Sequence, residues 1–296
     1  MDVDTKFEVP VIEFRSLDLE RGTDEWHHLC KRIREACETY GCFEVVYEKI
    51  STELRNKMFG LMKDLVELPL ERKQKNVSSI PYHGYIGPGS LFSLLYEGFG
   101  LVDASNHDSV KNFTQLMWPD DHAQFCDTVY TMATQIEELN KLIWLIIIDS
   151  YGLRGKWELV MKHWDYERGL HAHTDKSIST IIFDNQVSGL EIEVKDSQWI
   201  KLSIYPSSFV FVVGDTLKAW SNERLKVVNY RVIMNGYKNR LSIATFAIPI
   251  EGTIIKTPKE LIDEQHPQLY KDFDSKHIDS SERLHAFASL SPPISH

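Results

Sequence analysis

The sequence predicts a mainly β fold with helical flanks, a jelly roll approached through a helix-rich N-terminal region. Three observations carry that prediction. Short segments of β-branched and aromatic residues recur from Leu159 to Phe246, with turn residues between them. The residues before them repeat apolar side chains at the helical period instead. No linker divides the two parts, so 1–296 reads as one domain. Within it, 1–155 is the helix-rich region packed on the barrel, 156–250 the jelly-roll core, and 251–296 a C-terminal helix and tail.

Taken in order, Val9–Phe14 alternates and reads as a short strand. Trp26, Leu29, Ile33, Ala36, Cys37 and Tyr40 form a helical stripe that Gly41 stops. Cys42–Val46 reads as a strand, and Ser51 or Thr52 caps a helix running to about Leu68. Pro69 with Glu71, Arg72 and Lys73 opens a polar, loop-like stretch. Pro81–Gly100 is dense in Gly, Pro and Ser and reads as irregular. Its aromatics, Tyr82, His83, Tyr85, Phe92 and Tyr96, fit either substrate contacts or a satellite packing cluster. Asp120 or Asp121 caps a long helix from about His122 to Ser150, with an apolar stripe of Ile136, Leu139, Leu142, Ile143, Ile146 and Ile147. The strands that follow are Leu159–Trp164, Ile178–Phe183, Leu190–Val194, Trp199–Leu202, Phe209–Val213, Val227–Met234 and Ser242–Phe246. A last helix runs from Pro258 to about Glu264.

Composition narrows the function. With 43% hydrophobic and 26% charged residues the chain is an ordinary globule. A net charge of −10 disfavours nucleic acid and anionic membranes as partners. The first residues carry no apolar signal segment, and the run Leu142–Ile148 is too short to span a bilayer. Cys30, Cys37, Cys42 and Cys126 form no C-x-x-C pair, which suits buried, reduced thiols. The expectation is a cytoplasmic protein, monomeric, that handles a small-molecule substrate.

Two short runs carry the chemistry. Gly169–Lys176 reads G-L-H-A-H-T-D-K. His173 and Asp175 are two apart, and a strand points such residues the same way. An imidazole and a carboxylate converging there are two of the three donors of the facial triad that holds ferrous iron in oxygenases. A solvated pair at a strand end has the same spacing. Arg240 and Ser242 share a face by the same rule, and a guanidinium fork matches a carboxylate bidentately. Arg231 is a second arginine of this region. A buried arginine needs an anionic partner, and spacing leaves two open, an internal Asp or Glu or a dicarboxylate ligand.

These residues, with others along the chain, resemble the plant 2-oxoglutarate/Fe(II)-dependent dioxygenases (isopenicillin N synthase-like). The likeness is to the short subfamily that produces alkenyl and hydroxyalkyl glucosinolates. The matching runs are Val9–Phe14, Ala36–Val46, Glu67–Lys73, Asn112–Leu116, His173–Lys176, Val187–Ile192 with Trp199, Gly214-Asp215 and Arg240–Ser242. The resemblance implies a double-stranded β-helix, cupin-like, with Fe(II) held by His173 and Asp175. It implies 2-oxoglutarate held through its distal carboxylate by Arg240 and Ser242, and ascorbate as reductant. In the family, oxidative decarboxylation of 2-oxoglutarate drives oxidation of a bound small molecule. The aromatic loop, with Phe92 and Trp220, suggests an apolar or aromatic one.

Two positions depart from the family pattern. Tyr230, in Leu225–Val232, stands where the second iron histidine belongs, just before Arg231. His163 stands where a tyrosine usually contacts the distal carboxylate. The candidate metal set is therefore His173, Asp175 and Tyr230, and the candidate cofactor set Arg240, Ser242 and His163. A phenol ligates well only as phenolate, from a free pKa of about 10. Three functions remain open: an oxygenase of plant specialised metabolism with an atypical metal site, a metal-independent enzyme using His173, Asp175, Tyr230 and His163 as acid–base groups, and a non-catalytic small-molecule binder.

Overall fold

Two β-sheets enclose one side-chain core, and three long helices cover the outside of the larger sheet. The computed structural model describes residues 8–14, 19–78, 83–88, 96–154, 163–165 (backbone), 173–194, 197–202, 204–233, 238–250 and 252–274. Their elements, in order, are β1 (Val11–Phe14), α1 (Asp24–Thr39), β2 (Cys42–Tyr47), α2 (Thr52–Glu67), α3 (Leu70–Lys73), β3 (Tyr85–Ile86), β4 (Gly98–Phe99), α4 (His107–Met117) and α5 (Ala123–Ser150). There follow β5 (His163–Asp165), β6 (Ser179–Asp184), β7 (Leu190–Glu193), β8 (Trp199–Lys201), β9 (Ser208–Val213), α6 (Asp215–Trp220), β10 (Tyr230–Val232), β11 (Ser242–Ile248), β12 (Ile254–Ile255) and β13 (Phe273–Asp274).

The larger sheet has the order β1-β2-β9-β6-β11-β5 and the smaller one β10-β7-β8. Only β1 and β2 pair in parallel within them. Alternation along β6 and β9 sorts the side chains. Ile181, Phe183, Phe209, Phe211 and Val213 turn to the helices and join Ile33, Ile136, Ile143 and Ile147 in the main core. Ile182, Val210 and Val212 turn inward and meet Leu190, Ile192 and Tyr230 of the smaller sheet. The central strands β6 and β9 are thus buried on both faces and have no exposed residue. Both faces being covered is why these strands read as continuous apolar runs rather than alternating ones.

Local chemistry sets the boundaries. Thr23 caps α1 by accepting from the Trp26 N–H at 3.2 Å, and Ser51 caps α2 by accepting from Leu54 at 3.1 Å. Gly41, beyond the end of α1, takes φ +72°, and a Cβ there would lie 2.7 Å from the Lys226 carbonyl oxygen. The polar stretch after Pro69 is the helix α3, because proline presets the entry and Arg72 donates to the Pro69 carbonyl at 2.9 Å. The cap of α5 is His122, whose Nδ1 accepts from Phe125 at 3.2 Å. Asp121 lies at φ +74°, so its carboxylate bonds the adjacent His122 N–H instead. Helix α4 escaped the periodicity reading, although Asn106 caps it and Val110, Phe113 and Met117 share its buried face. Near the end, Lys259–Leu261 is a single 3-10 turn, shorter than the predicted helix. The early part of the Leu159–Trp164 strand, much of the aromatic loop with Tyr82 and Phe92, and the tail beyond 274 lie outside the described residues.

Candidate active site

The H-T-D run is a turn held from below by the start of α6. The Asp215 N–H donates to the Asp175 carbonyl at 2.7 Å, and Gly214 donates to Ile178 at 3.0 Å. Gly214 is forced by contact, since a Cβ would sit 1.9 Å from the Ser177 carbonyl oxygen. The Thr174 hydroxyl donates to Asp215 Oδ2 at 3.1 Å. Burial raises the Asp215 carboxyl above its ordinary range, and the Thr174 hydroxyl partly offsets this.

His173 forms an isolated antiparallel bridge with Tyr230, donating to its carbonyl at 3.1 Å and accepting from its N–H at 3.0 Å. This bridge adds the H-T-D run to the smaller sheet. It sets the two rings side by side, with centroids 4.5 Å apart at 50°. His173 Nε2 lies 3.4 Å from Asp175 Oδ1. The Tyr230 hydroxyl donates to Asp175, 2.9 Å from Oδ1 and 3.1 Å from Oδ2. Thr180 donates to Asp175 Oδ2 at 2.5 Å. Asp175 and Tyr230 are 5% and 4% exposed, so their polar atoms address each other and the interior rather than water.

The structure therefore brings His173, Asp175 and Tyr230 together. It sets Arg240 and Ser242 at the other end of the same inner face. Ser242 pairs with Asp184 and Phe246 with Thr180 across β11 and β6. The arginine's partner within the described residues is internal: Arg240 Nη2 donates to Asp184 Oδ2 at 3.1 Å, with both side chains 4% exposed. Asn185 secures the segment, accepting from Leu241 N–H and donating to the Asn239 carbonyl, both at 3.1 Å. Arg231 points the other way. It pairs with Glu191 at 2.8 Å and stacks 4.0 Å over Trp199 on the outer face. The backbone register sets His163 opposite Ile248, six residues along β11 from Ser242. Its side chain lies outside the described residues. Trp220 packs on Trp144 in the helix-side core, with ring centroids 6.3 Å apart, and takes no part in the site. Thr180 and Asp184 are the site residues the sequence reading missed; they lie four apart on β6 and share its inward face, opposite Phe246 and Ser242 of β11.

A jelly roll with a histidine, an inward carboxylate two residues on and a buried arginine followed two residues later by a serine is the frame of a non-haem metal oxygenase. The family comparisons agree. Residues 151–249 match the 2OG-Fe(II) oxygenase superfamily, and residues 9–116 match the non-haem dioxygenase N-terminal region named for morphine synthesis. The chain belongs to the 2-oxoglutarate–Fe(II) oxygenase family. A curated relative from Arabidopsis thaliana, "Probable 2-oxoglutarate-dependent dioxygenase AOP1.2", is 37% identical over 96% of this chain and 97% of its own length. Among solved structures, the rice dioxygenase for auxin oxidation is 29% identical with a TM-score of 0.78, covering 94% of this chain and 96% of that one. The Arabidopsis dioxygenase for auxin oxidation 1, in complex with 2-oxoglutarate, is 26% identical with the same TM-score of 0.78, covering 88% of this chain and 100% of that one.

Iron and 2-oxoglutarate are the cofactors of this family, and the donors here can be tested against them. Cis ligands of an octahedral ion with bonds of about 2.1 Å lie about 3 Å apart. The His173–Asp175 and Tyr230–Asp175 separations, 3.4 and 2.9 Å, fit that spacing. The positions therefore fit a metal. The third donor is a phenol in place of an imidazole, and it ligates only after giving up the proton it now shares with Asp175. An apolar cavity of about 60 Å³ lies between α2, α4, α5 and β11, walled by Met58, Met62, Phe99, Phe113 and Ile243. It is a packing gap behind the larger sheet, and none of His173, Asp175, Tyr230 and Arg240 lines it.

Proposed function

We propose that this chain is an iron- and 2-oxoglutarate-dependent enzyme of plant specialised metabolism whose metal site is His173, Asp175 and Tyr230, acting on a small apolar or aromatic molecule. The observation that carries the reading is that the His173 ring nitrogen and the Tyr230 hydroxyl, set side by side by a backbone bridge, each lie at metal-ligand spacing from Asp175. When bound, the metal and 2-oxoglutarate would activate dioxygen, which is the oxidant, with 2-oxoglutarate supplying electrons as it loses carbon dioxide. The chain's residues do the rest. Thr180 holds Asp175 Oδ2, which leaves Oδ1 turned to the histidine. Arg240 and Ser242 receive the distal carboxylate. Ile182, Val210, Val212 and Leu190 keep water from the interior. The net charge of −10 supports a partner list without nucleic acid or membrane, and the four buried free cysteines support a cytoplasmic location.

The test is succinate release from 2-oxoglutarate with ferrous iron, ascorbate and a panel of small aromatic and aliphatic compounds. The expected result is substrate-dependent succinate that Asp175→Ala abolishes. Turnover of a panel compound that persists in a strong chelator would overturn the reading.

One observation favours a second reading. The Tyr230 hydroxyl reaches both oxygens of Asp175 and the His173 ring lies alongside, so the three also form a ready proton-transfer group. A metal-independent acid–base enzyme on this scaffold would lose activity in Tyr230→Phe and keep it in chelator.

A further inference from the structure

Outside the barrel, helices α4 and α5 bring three metal-ligating side chains to one point. His107 is the first residue of α4, and Cys126 and Asp127 lie near the start of α5. One donor atom from each, a ring nitrogen, the thiol sulfur and a carboxylate oxygen, lies within 4.8 Å of the other two. The His107 Nε2–Cys126 Sγ separation is 3.9 Å. The packing of the two helices fixes this approach. Phe113 and Phe125 stack with ring centroids 6.0 Å apart at 23°. The His107 ring stands edge-on to Tyr130, one turn beyond Cys126, with centroids 5.3 Å apart. Cys126 is buried, while His107 and Asp127 are exposed. The sulfur thus forms the floor of a shallow cup, and the other two donors form its rim.

The donor set selects the ion. Thiolate, imidazole and carboxylate are the three side-chain ligands zinc takes, whereas calcium and magnesium call for oxygen alone. With zinc bonds of about 2.3 Å to sulfur and about 2.1 Å to nitrogen, tetrahedral geometry sets the two donors about 3.5 Å apart. The observed 3.9 Å closes to that value by a small rotation of the exposed imidazole. The Asp127 carboxylate makes no hydrogen bond or ion pair among the described residues, so ligation displaces none of them. One thiolate and one carboxylate together balance a divalent charge. A weak thiol–imidazole contact would explain Cys126 and His107, but not the carboxylate within reach of both.

We propose that His107, Cys126 and Asp127 bind one zinc ion, with water in the fourth position, and that the ion clamps the start of α4 to α5. The site is separate from His173, Asp175 and Tyr230 and does not depend on the reaction proposed for them. Zinc displaces the thiol proton as it binds. The clamp lies on the helical layer whose Phe113, Phe125 and Val129 wall the apolar cavity behind the larger sheet.

The experiment is a titration of the full chain with cobalt(II), a coloured stand-in for zinc, under nitrogen with a non-thiol reductant. Only a cysteine ligand gives thiolate-to-cobalt charge-transfer absorption, so the readout is blind to the barrel site, which has no sulfur donor. The expected result is absorption that saturates at one equivalent per chain, persists in Asp175→Ala and is reversed by added zinc. His107→Gln and Asp127→Asn, both at exposed positions, should each weaken binding by at least about tenfold. Cys126→Ser should abolish the absorption. Excess zinc should raise the melting temperature of the wild type more than that of His107→Gln. Absence of the absorption in the wild type, binding seen only at millimolar cobalt, wild-type affinity in His107→Gln, or loss of the signal in a folded Asp175→Ala overturns the proposal. If Cys126→Ser does not fold by circular dichroism, the affinities of His107→Gln and Asp127→Asn decide.

Discussion

At the scale of residues, one substitution decides the chemistry. Tyr230 keeps the backbone bridge that a histidine would make there, because the bridge uses only N–H and C=O. What changes is the donor atom and its proton. Tyr230→His should raise affinity for ferrous iron by at least tenfold, measured by equilibrium dialysis, since a neutral imidazole needs no proton release to ligate. Thr180→Val removes the hydrogen bond to Asp175 Oδ2 and should lower metal affinity about tenfold, by the usual cost of losing a supporting contact. Equal affinity in wild type and Thr180→Val would show that Asp175 is not oriented by it. The cysteines make a prediction about pH. Burial raises Cys30 to about 11 and Cys42 to about 12, from 9.0. A thiol whose folded pKa lies above its unfolded value supports the fold below the unfolded value and loses that contribution as pH climbs to the folded one. Melting temperature should therefore fall between pH 9 and 12, and Cys42→Ala should fall less steeply over that range.

At the scale of elements, the H-T-D turn depends on a glycine that touches no ligand. Gly214→Ala would press a methyl group into the Ser177 carbonyl, 1.9 Å away, and so move the backbone that carries Asp175. A loss of about 3 kcal/mol in urea unfolding is expected, the upper range for overpacking. A change under about 0.5 kcal/mol would mean the turn has slack that the contact denies. The C-terminal segment depends on one side chain in the same way. Asn222 donates to the Pro267 carbonyl at 3.0 Å and accepts from Leu269 at 2.9 Å. Asn222→Ala should speed proteolysis near Pro267 while the jelly roll stays intact, as read from the fragment masses.

At the scale of the whole molecule, the larger sheet is shared by two cores, one against the helices and one inside the barrel. Phe211 lies on the helix side, fully buried and stacked on Phe43 with centroids 5.1 Å apart. Phe211→Ala should cost about 3–5 kcal/mol. Helical circular dichroism and tryptophan fluorescence should still melt together, because both cores are built on the larger sheet. Separate transitions would show that the helical layer unfolds independently of the barrel.

Much of this was legible in the chain. The strands β6, β7, β9 and β11 announced themselves because buried strands are runs of β-branched and aromatic residues. Gly41 and Ser51 marked helix ends because those positions need a left-handed backbone or a capping oxygen. His173, Asp175, Arg240 and Ser242 stood out by their two-residue spacing, but the strand alternation assumed for them does not hold: His173 makes one isolated bridge, Asp175 follows it outside any strand, and Arg240 precedes β11. Sequence could not say what each side chain meets across the barrel. That Tyr230 bonds Asp175, that Arg240 is held by Asp184, that Arg231 turns outward and that Arg55 lies buried over Phe209 are contacts between segments up to 153 residues apart. Periodicity reports a residue's own face and nothing about the partner on the next strand. The register of the sheets sets that partner, and only the folded chain has a register.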